Sequence, residues 1–306
     1  MIRAAHAASE QRTEESEQIT RIQVFLDRAG FGPGKIDGRD GEFTRRALDL
    51  YRTSQGQDAI PGESLDPAGL DLSSADPVFI TYTVTEEDVK NVGEVPETVP
   101  AQAKLKELPY HTAAEAIAEK FHCDADFLEE RNSGKTAGIK VGDQLSVPNV
   151  IPFELEALEK AQPTNKEGDT PTMISVVVNT KSNMAEVYDD SKIIAAFPVS
   201  IGASETGTPT GEWKVKGVAR MPEFRHDEKM LNEGERSEEF HMLPPGPNNP
   251  VGVMWIALNK DGIGLHGTND PYLIGRSESH GCIRLANWDV VRLAEKIKPG
   301  TAVSIR

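Results

Sequence analysis

Ile174-Ser175-Val176-Val177-Val178, Met184-Ala185-Glu186-Val187-Tyr188 and Lys192-Ile193-Ile194-Ala195-Ala196-Phe197-Pro198-Val199-Ser200 follow one another with only short Asn, Ser and Asp turns between them. Branched and aromatic side chains pack well on a pleated surface, so such runs between turn formers read as strands. Trp213-Lys214-Val215-Lys216, Val253-Met254-Trp255-Ile256-Ala257-Leu258 and Ala302-Val303-Ser304-Ile305 repeat the texture. Residues 173–306 are therefore expected to form a mainly β domain, sandwich- or barrel-like, of about 130 residues. A single helix is expected inside it, Asn287 to Lys298, with Val290, Val291, Leu293, Ala294 and Ile297 as its apolar positions.

Upstream the texture changes, and the chain reads as a multidomain α+β protein. Residues 1–18 are polar and charged and are expected to be a disordered tail. From residue 19 to 57 a small helical domain is predicted: Ile19, Ile22, Leu26 and Ala29 follow helical spacing, Gly30 ends that helix, and Phe43, Ala47, Leu50 and Tyr51 mark a second. A unit this short has little core of its own and would pack on a neighbour. After a Ser/Asp/Pro-rich linker (56–77), Phe79 to Val84 reads as a strand. Thr112 then caps a helix bearing Ala116, Ile117 and Phe121, Leu128 and Asn132 follow, and Ile139 to Pro148 closes with a strand. This β-α-α-β unit spans 78–150 and carries an acidic, Pro-containing insertion from 86 to 109. Residues 151–172 begin helical and end as a polar linker.

The chain has 306 residues and a net charge of −16, which leaves no basic field to hold a polyphosphate backbone and excludes nucleic acid. No apolar run approaches the ~20 residues of a membrane span, and Met1 to Gln18 has no apolar core of a secretory signal. Of the two cysteines, Cys123 reads as a buried structural thiol. The other, Cys282, lies sixteen residues after His266.

A thiol becomes a nucleophile when an imidazole takes its proton or a positive field lowers its pKa. His266 can do this for Cys282 only if the fold returns the loop from Thr268 to Ser279. The imidazole also needs a partner on its other nitrogen. No carboxylate flanks His266, so the expected partner is a backbone carbonyl, that of Gly267. Gly281 lets the chain turn and backbone N–H groups converge on an oxyanion, and Arg284 places a permanent cation two residues beyond the sulfur. A metal held by His266, His280 and Cys282 is the other arrangement, but no Cys-x-x-Cys or His-x-x-x-His pair accompanies them, and neither metal nor cofactor is expected.

The wider pattern is more specific than the Cys/His pair. His266-Gly267-Thr268, Ile274-Gly275 and Ser279-His280-Gly281-Cys282-Ile283-Arg284-Leu285, with Thr208-Pro209-Thr210-Gly211-Glu212-Trp213 and Pro244-Pro245-Gly246-Pro247-Asn248-Asn249-Pro250-Val251-Gly252 upstream, resemble the YkuD-type L,D-transpeptidases. The resemblance covers nearly all of residues 173–306. It implies that Cys282 attacks the amide after the diamino acid of a peptidoglycan tetrapeptide stem and releases the terminal D-Ala. His266 would act as base and then acid, oriented by Gly267. Ser279, His280 and Gly281 would line the site and its oxyanion hole, and Arg284 and Thr268 would contact substrate. A second stem's amine would resolve the thioester into a 3→3 cross-link, and carbapenems would acylate the cysteine.

Two shorter resemblances lie upstream. Gln23-x-x-Leu26-x-x-x-Gly30-Phe31-x-Pro33-Gly34-x-Ile36-Asp37-Gly38 with Gly41-x-Phe43-Thr44-x-x-Ala47-Leu48 is similar to the small helical peptidoglycan-binding domain. The 78–150 unit, ending in Val141-Gly142-Asp143-Gln144-Leu145-Ser146-Val147-Pro148, looks like a LysM module. Both imply contact with wall glycan and a place in the cell envelope. Three readings stay open: a transpeptidase, an enzyme that uses the same nucleophile as an L,D-carboxypeptidase or hydrolase or to attach a protein to the wall, and a wall-binding protein without activity. The charged stretch from Glu223 to Glu239 is expected to be a solvated flap over the site, its charges without structural duty.

Overall fold

The computed structural model describes residues 2–57, 65–160, 173–202, 207–276 and 281–306. The chain opens with α1 (Ile2–Arg28) and α2 (Glu42–Ser54), followed by β1 (Phe79–Thr83), α3 (Glu86–Lys90), α4 (Val99–Gln102), α5 (Ala113–Lys120), α6 (Ala125–Asn132), β2 (Gln144–Pro148) and α7 (Leu155–Lys160). The tail expected at 1–18 is corrected here: α1 takes in Ile2 to Gln18. Ala, Glu and Gln favour helix at low cost, and the segment extends a helix whose later turns are anchored by the buried Ile22, Val24, Phe25 and Leu26.

The unit at 78–150 runs β1-α3-α4-α5-α6-β2, with α3 and α4 in the stretch expected as an insertion. β1 and β2 pair antiparallel from Phe79↔Pro148 to Thr83↔Gln144, with α5 and α6 between them. Thr112 caps α5 by accepting from Glu115 N–H, and Asp124 caps α6 by accepting from Asp126 and Phe127 N–H. Cys123 is buried in this unit, and burial pushes its thiol far up, as a structural cysteine requires.

The remaining elements are β3 (Ile174–Asn179), β4 (Met184–Asp189), β5 (Lys192–Pro198), β6 (Gly211–Arg220), β7 (Phe224–His226), α8 (Glu228–Glu233), β8 (His241–Leu243), β9 (Met254–Leu258), β10 (Gly264–His266), β11 (Ile283–Arg284), α9 (Asn287–Lys296) and β12 (Ala302–Ile305). Eight strands form one sheet in the order β11-β10-β9-β6-β12-β3-β4-β5. The long β6 joins its halves: residues 211–214 pair with β12, and from Val215 onward it pairs with β9, with a register shift between Val215 and Gly217. Such a bulge bends a strand and raises its twist. Just beyond β5, Ser200 and Arg284 of β11 exchange both backbone hydrogen bonds at 2.9 Å, so the two ends of the sheet meet. The sheet is therefore curled and barrel-like. Val176, Val178, Val187, Ile256, Leu265 and Ile283 fill its interior together with Trp288, Val290 and Leu293 of α9.

The upstream units pack against this domain. A second core made by α1, α2 and the 78–150 unit also takes in Met184, Ile193 and Ala196 of β4 and β5. The loop after α1 lies along edge strand β5, where Gly32 N–H donates to Ala196 O at 2.7 Å and Ala196 N–H to Gly30 O at 3.1 Å. Covering an edge removes a template for unwanted pairing. Below it, Asp27 Oδ2 lies 3.0 Å from both His122 Nδ1 and Arg292 Nη2, and Arg292 Nη2 lies 2.6 Å from Asp289 Oδ1. Three stretches of chain meet in this buried ionic cluster.

The charged stretch from Glu223 to Glu239 holds β7 and α8, and its charges are not all solvated. Asp227 is buried and accepts from Met230 N–H, Ser237 N–H and Ser237 hydroxyl at 2.9–3.1 Å. The Ser237 backbone contact, with the other hydrogen bonds, holds its carboxyl below the usual range. One carboxylate thus organises the turn, which an acidic run does not disclose by itself.

Candidate active site

Parallel pairing of β10 and β11 sets Leu265 against Ile283 and His266 against Arg284. Paired residues share a face and successive residues alternate. Leu265 and Ile283 point into the core, so His266 and Arg284 lie on the opposite face, with Cys282 next to Gly264. The loop return that the sequence required is made by this strand pair.

His266 Nδ1 lies 2.6 Å from the carbonyl oxygen of Gly267. A carbonyl only accepts, so Nδ1 carries the proton and Nε2 keeps a free lone pair. Burial lowers the His266 pKa to about 4, with the Gly267 hydrogen bond opposing and the Arg284 charge adding to the shift. Burial pushes the Cys282 thiol up, opposed by a backbone hydrogen bond from Gly264 and by Arg284. The sulfur also lies 3.4 Å from Gly262 O. Both shifts favour the neutral forms, imidazole and thiol. Burial likewise lowers Arg284, which stays a cation, flanked by Cys282 and Asp270.

Gly281 has φ +113°, a region L side chains avoid, and Gly202 packs against it so closely that a Cβ on Gly202 would stand 2.8 Å from Gly281 Cα. Ser279 and His280 lie outside the described residues. Thr268, expected at the substrate, is buried, and its hydroxyl accepts from Asp270 N–H at 3.2 Å. It stands in the turn after His266.

Sequence reasoning missed two residues. Trp255, opposite His266 on β9, lies parallel to the imidazole with centroids 5.2 Å apart at 15°. A Cβ on Gly264 would meet its indole at 2.9 Å. A strand tryptophan reads as core, and only the register shows that it shares the histidine's face. Asn287, read as a helix start, is buried behind Gly267, and a Cβ there would stand 2.2 Å from Asn287 Oδ1.

Residues 174–305 match the L,D-transpeptidase catalytic domain family, YkuD. The chain is 34% identical over 135 residues to YqjB of Bacillus subtilis, covering 42% of this chain and 69% of that protein. It is 29% identical over 193 residues to YkuD of Bacillus licheniformis, covering 62% of this chain and 92% of the relative. Both relatives are described as L,D-transpeptidases. A solved L,D-transpeptidase from Mycobacterium smegmatis aligns at TM-score 0.36 and 19% identity, over 45% of this chain and 60% of that one. The chain belongs to the YkuD-type L,D-transpeptidase family and is an enzyme of that class.

Proposed function

We propose that the chain cross-links peptidoglycan through a thioester on Cys282. The observation that carries this reading is the His266 Nδ1 to Gly267 O contact of 2.6 Å, which leaves Nε2 as a base on the face shared with Cys282. As sulfur attacks the amide carbonyl after the diamino acid of a tetrapeptide stem, His266 Nε2 takes the thiol proton. A C–S bond forms, and backbone N–H groups around Gly281 and Cys282 stabilise the oxyanion. The C–N bond then breaks, and His266 returns the proton to the leaving D-Ala amine. The side-chain amine of a second stem attacks the thioester, its proton passes through His266 to sulfur, and a 3→3 cross-link is left.

Arg284 offers a guanidinium beside the sulfur that suits a stem carboxylate. Ser279 and His280 complete the site in this reading. Carbapenems, which present an acylating carbonyl, are expected to modify Cys282. The 19–57 and 78–150 units are proposed to touch glycan, and the cell envelope is the compartment the substrate implies.

Incubation with purified tetrapeptide-stem muropeptides, read by mass, tests the proposal. Dimers lacking D-Ala are expected from wild type and unchanged substrate from Cys282→Ala. Tripeptides without dimers would replace the amine acceptor by water.

A further inference from the structure

Glu119 is a buried carboxyl that the acyl transfer does not use. It lies on α5, in the 78–150 unit, yet it reaches the catalytic domain. Its Oε1 accepts from Tyr110 hydroxyl at 2.8 Å, and its two oxygens lie 3.1 and 3.3 Å from Asn287 Nδ2. Asn287 is fully buried at the first turn of α9. Its Nδ2 also donates to Pro247 O at 3.3 Å, and its Oδ1 accepts from Val253 N–H at 3.1 Å.

That amide can face only one way. Turned over, it would set NH₂ against the Val253 N–H and oxygen against the Glu119 and Pro247 oxygens, leaving buried groups unmatched. In the observed orientation Oδ1 presses on two glycines. A Cβ on Gly252 would stand 2.1 Å from it, and one on Gly267 would stand 2.2 Å. Gly267 supplies the carbonyl that holds His266 Nδ1. A continuous run of contacts therefore leads from Tyr110 and Glu119 through Asn287 and Gly267 to the imidazole.

We propose that Glu119 is a positioning residue for His266: it fixes the Asn287 amide, which fixes the Gly252–Gly267 backbone against which the imidazole is oriented. The 78–150 unit is then a working part of the catalytic centre as well as a neighbour packed on it. This rests on the reading of His266 as the base of a Cys282 enzyme.

The test uses full-length Glu119→Leu and Glu119→Gln, with kcat and KM for D-Ala release from tetrapeptide muropeptides and the NMR resonance of the His266 Nδ1 proton. Leu removes the acceptor, and kcat is expected to fall about 10–100-fold, the scale of a small misplacement of a catalytic group. KM should stay within about twofold and the Nδ1 proton resonance should broaden or shift. Gln keeps an oxygen for Tyr110 and Asn287 and should rescue both kcat and the resonance. A folded Leu variant with wild-type kcat, or a Gln variant as impaired as Leu, overturns the proposal. Should Leu not fold, Glu119→Asp withdraws the acceptor by one methylene: reduced kcat supports the proposal and wild-type kcat overturns it. Cys282→Ala run alongside separates the two claims. Release of D-Ala by that variant refutes the cysteine reading itself, whereas an inactive Cys282→Ala beside a fully active Leu variant refutes only the role of Glu119.

Discussion

The indole of Trp255 and the imidazole of His266 lie almost parallel, centroids 5.2 Å apart at 15°, on adjacent strands paired residue to residue. The same indole covers Gly264, whose backbone bonds the Cys282 sulfur. One flat side chain thus backs both halves of the proposed nucleophile–base pair. Trp255→Ala opens this face to water and frees the imidazole to tilt. We expect kcat to fall about tenfold or more with little change in KM, while Trp255→Phe keeps most of it. Steady-state kinetics on muropeptides checks this. Equal losses for Ala and Phe would point to the indole N–H instead of the flat ring.

Stability should carry the signature of two buried groups with opposite slopes. Burial lowers the His266 pKa to about 4 from 6.5, so between those values the unfolded chain takes up a proton that the folded chain refuses. Its contribution is complete above pH 6.5 and declines by about 3 kcal/mol as pH falls to about 4. Denaturant unfolding of His266→Gln should therefore show a shallower acid loss than wild type. Burial raises Glu119 from 4.5 to about 7, with Tyr110 and Asn287 opposing and the Glu115 charge adding to the rise. Its contribution is complete below pH 4.5 and is lost as pH rises to about 7, and Glu119→Gln should remove that slope.

Gly267 should not tolerate a methyl group. A Cβ there would meet Asn287 Oδ1 at 2.2 Å and Gly252 Cα at 3.1 Å, both held by buried backbone. Overpacking of this kind costs about 1–3 kcal/mol. Gly267→Ala is expected to lower the unfolding midpoint and to cost more activity than stability, because the displaced carbonyl is the one that orients His266. Urea unfolding and D-Ala release measured on one preparation separate the two losses.

The strands of the catalytic domain were legible because their alternation is strong and their turns are short. β6 was read only over 213–216, although it runs 211–220: its lysines and Gly217 break the apolar pattern, and its length serves pairing with two different neighbours. Cys282, His266 and the Gly267 carbonyl were legible from chemistry and family pattern. Trp255, Asn287 and Glu119 were not: Trp255 meets His266 only through the register of β9 on β10, and Glu119 meets Asn287 across 168 residues of chain. A strand tryptophan, a helix-start asparagine and a helical glutamate carry no local mark of such contacts.

Arg292 should be the residue on which the docking of the upstream helix depends most. It bonds Asp27 and Asp289 at 3.0 and 2.6 Å, and both carboxylates are buried. Burial alone would raise Asp27, but the charges of Arg292 and His122 outweigh it and hold its pKa near 2. Arg292→Ala strands two buried carboxylates and is expected to cost about 3 kcal/mol, the lower end for a broken buried pair. Asp27→Asn combined with Arg292→Ala should cost less than the sum of the two single changes, which a double-mutant cycle measures.

The central claim is that Cys282 carries the acyl group. Acid-quenching the enzyme during turnover of a tetrapeptide donor, followed by intact-mass measurement and peptide mapping, tests it most directly. The expected result is an adduct equal to the donor less D-Ala on the peptide containing Cys282, absent from Cys282→Ala. An adduct on the Cys123 peptide, or D-Ala release that persists in Cys282→Ala, would contradict it.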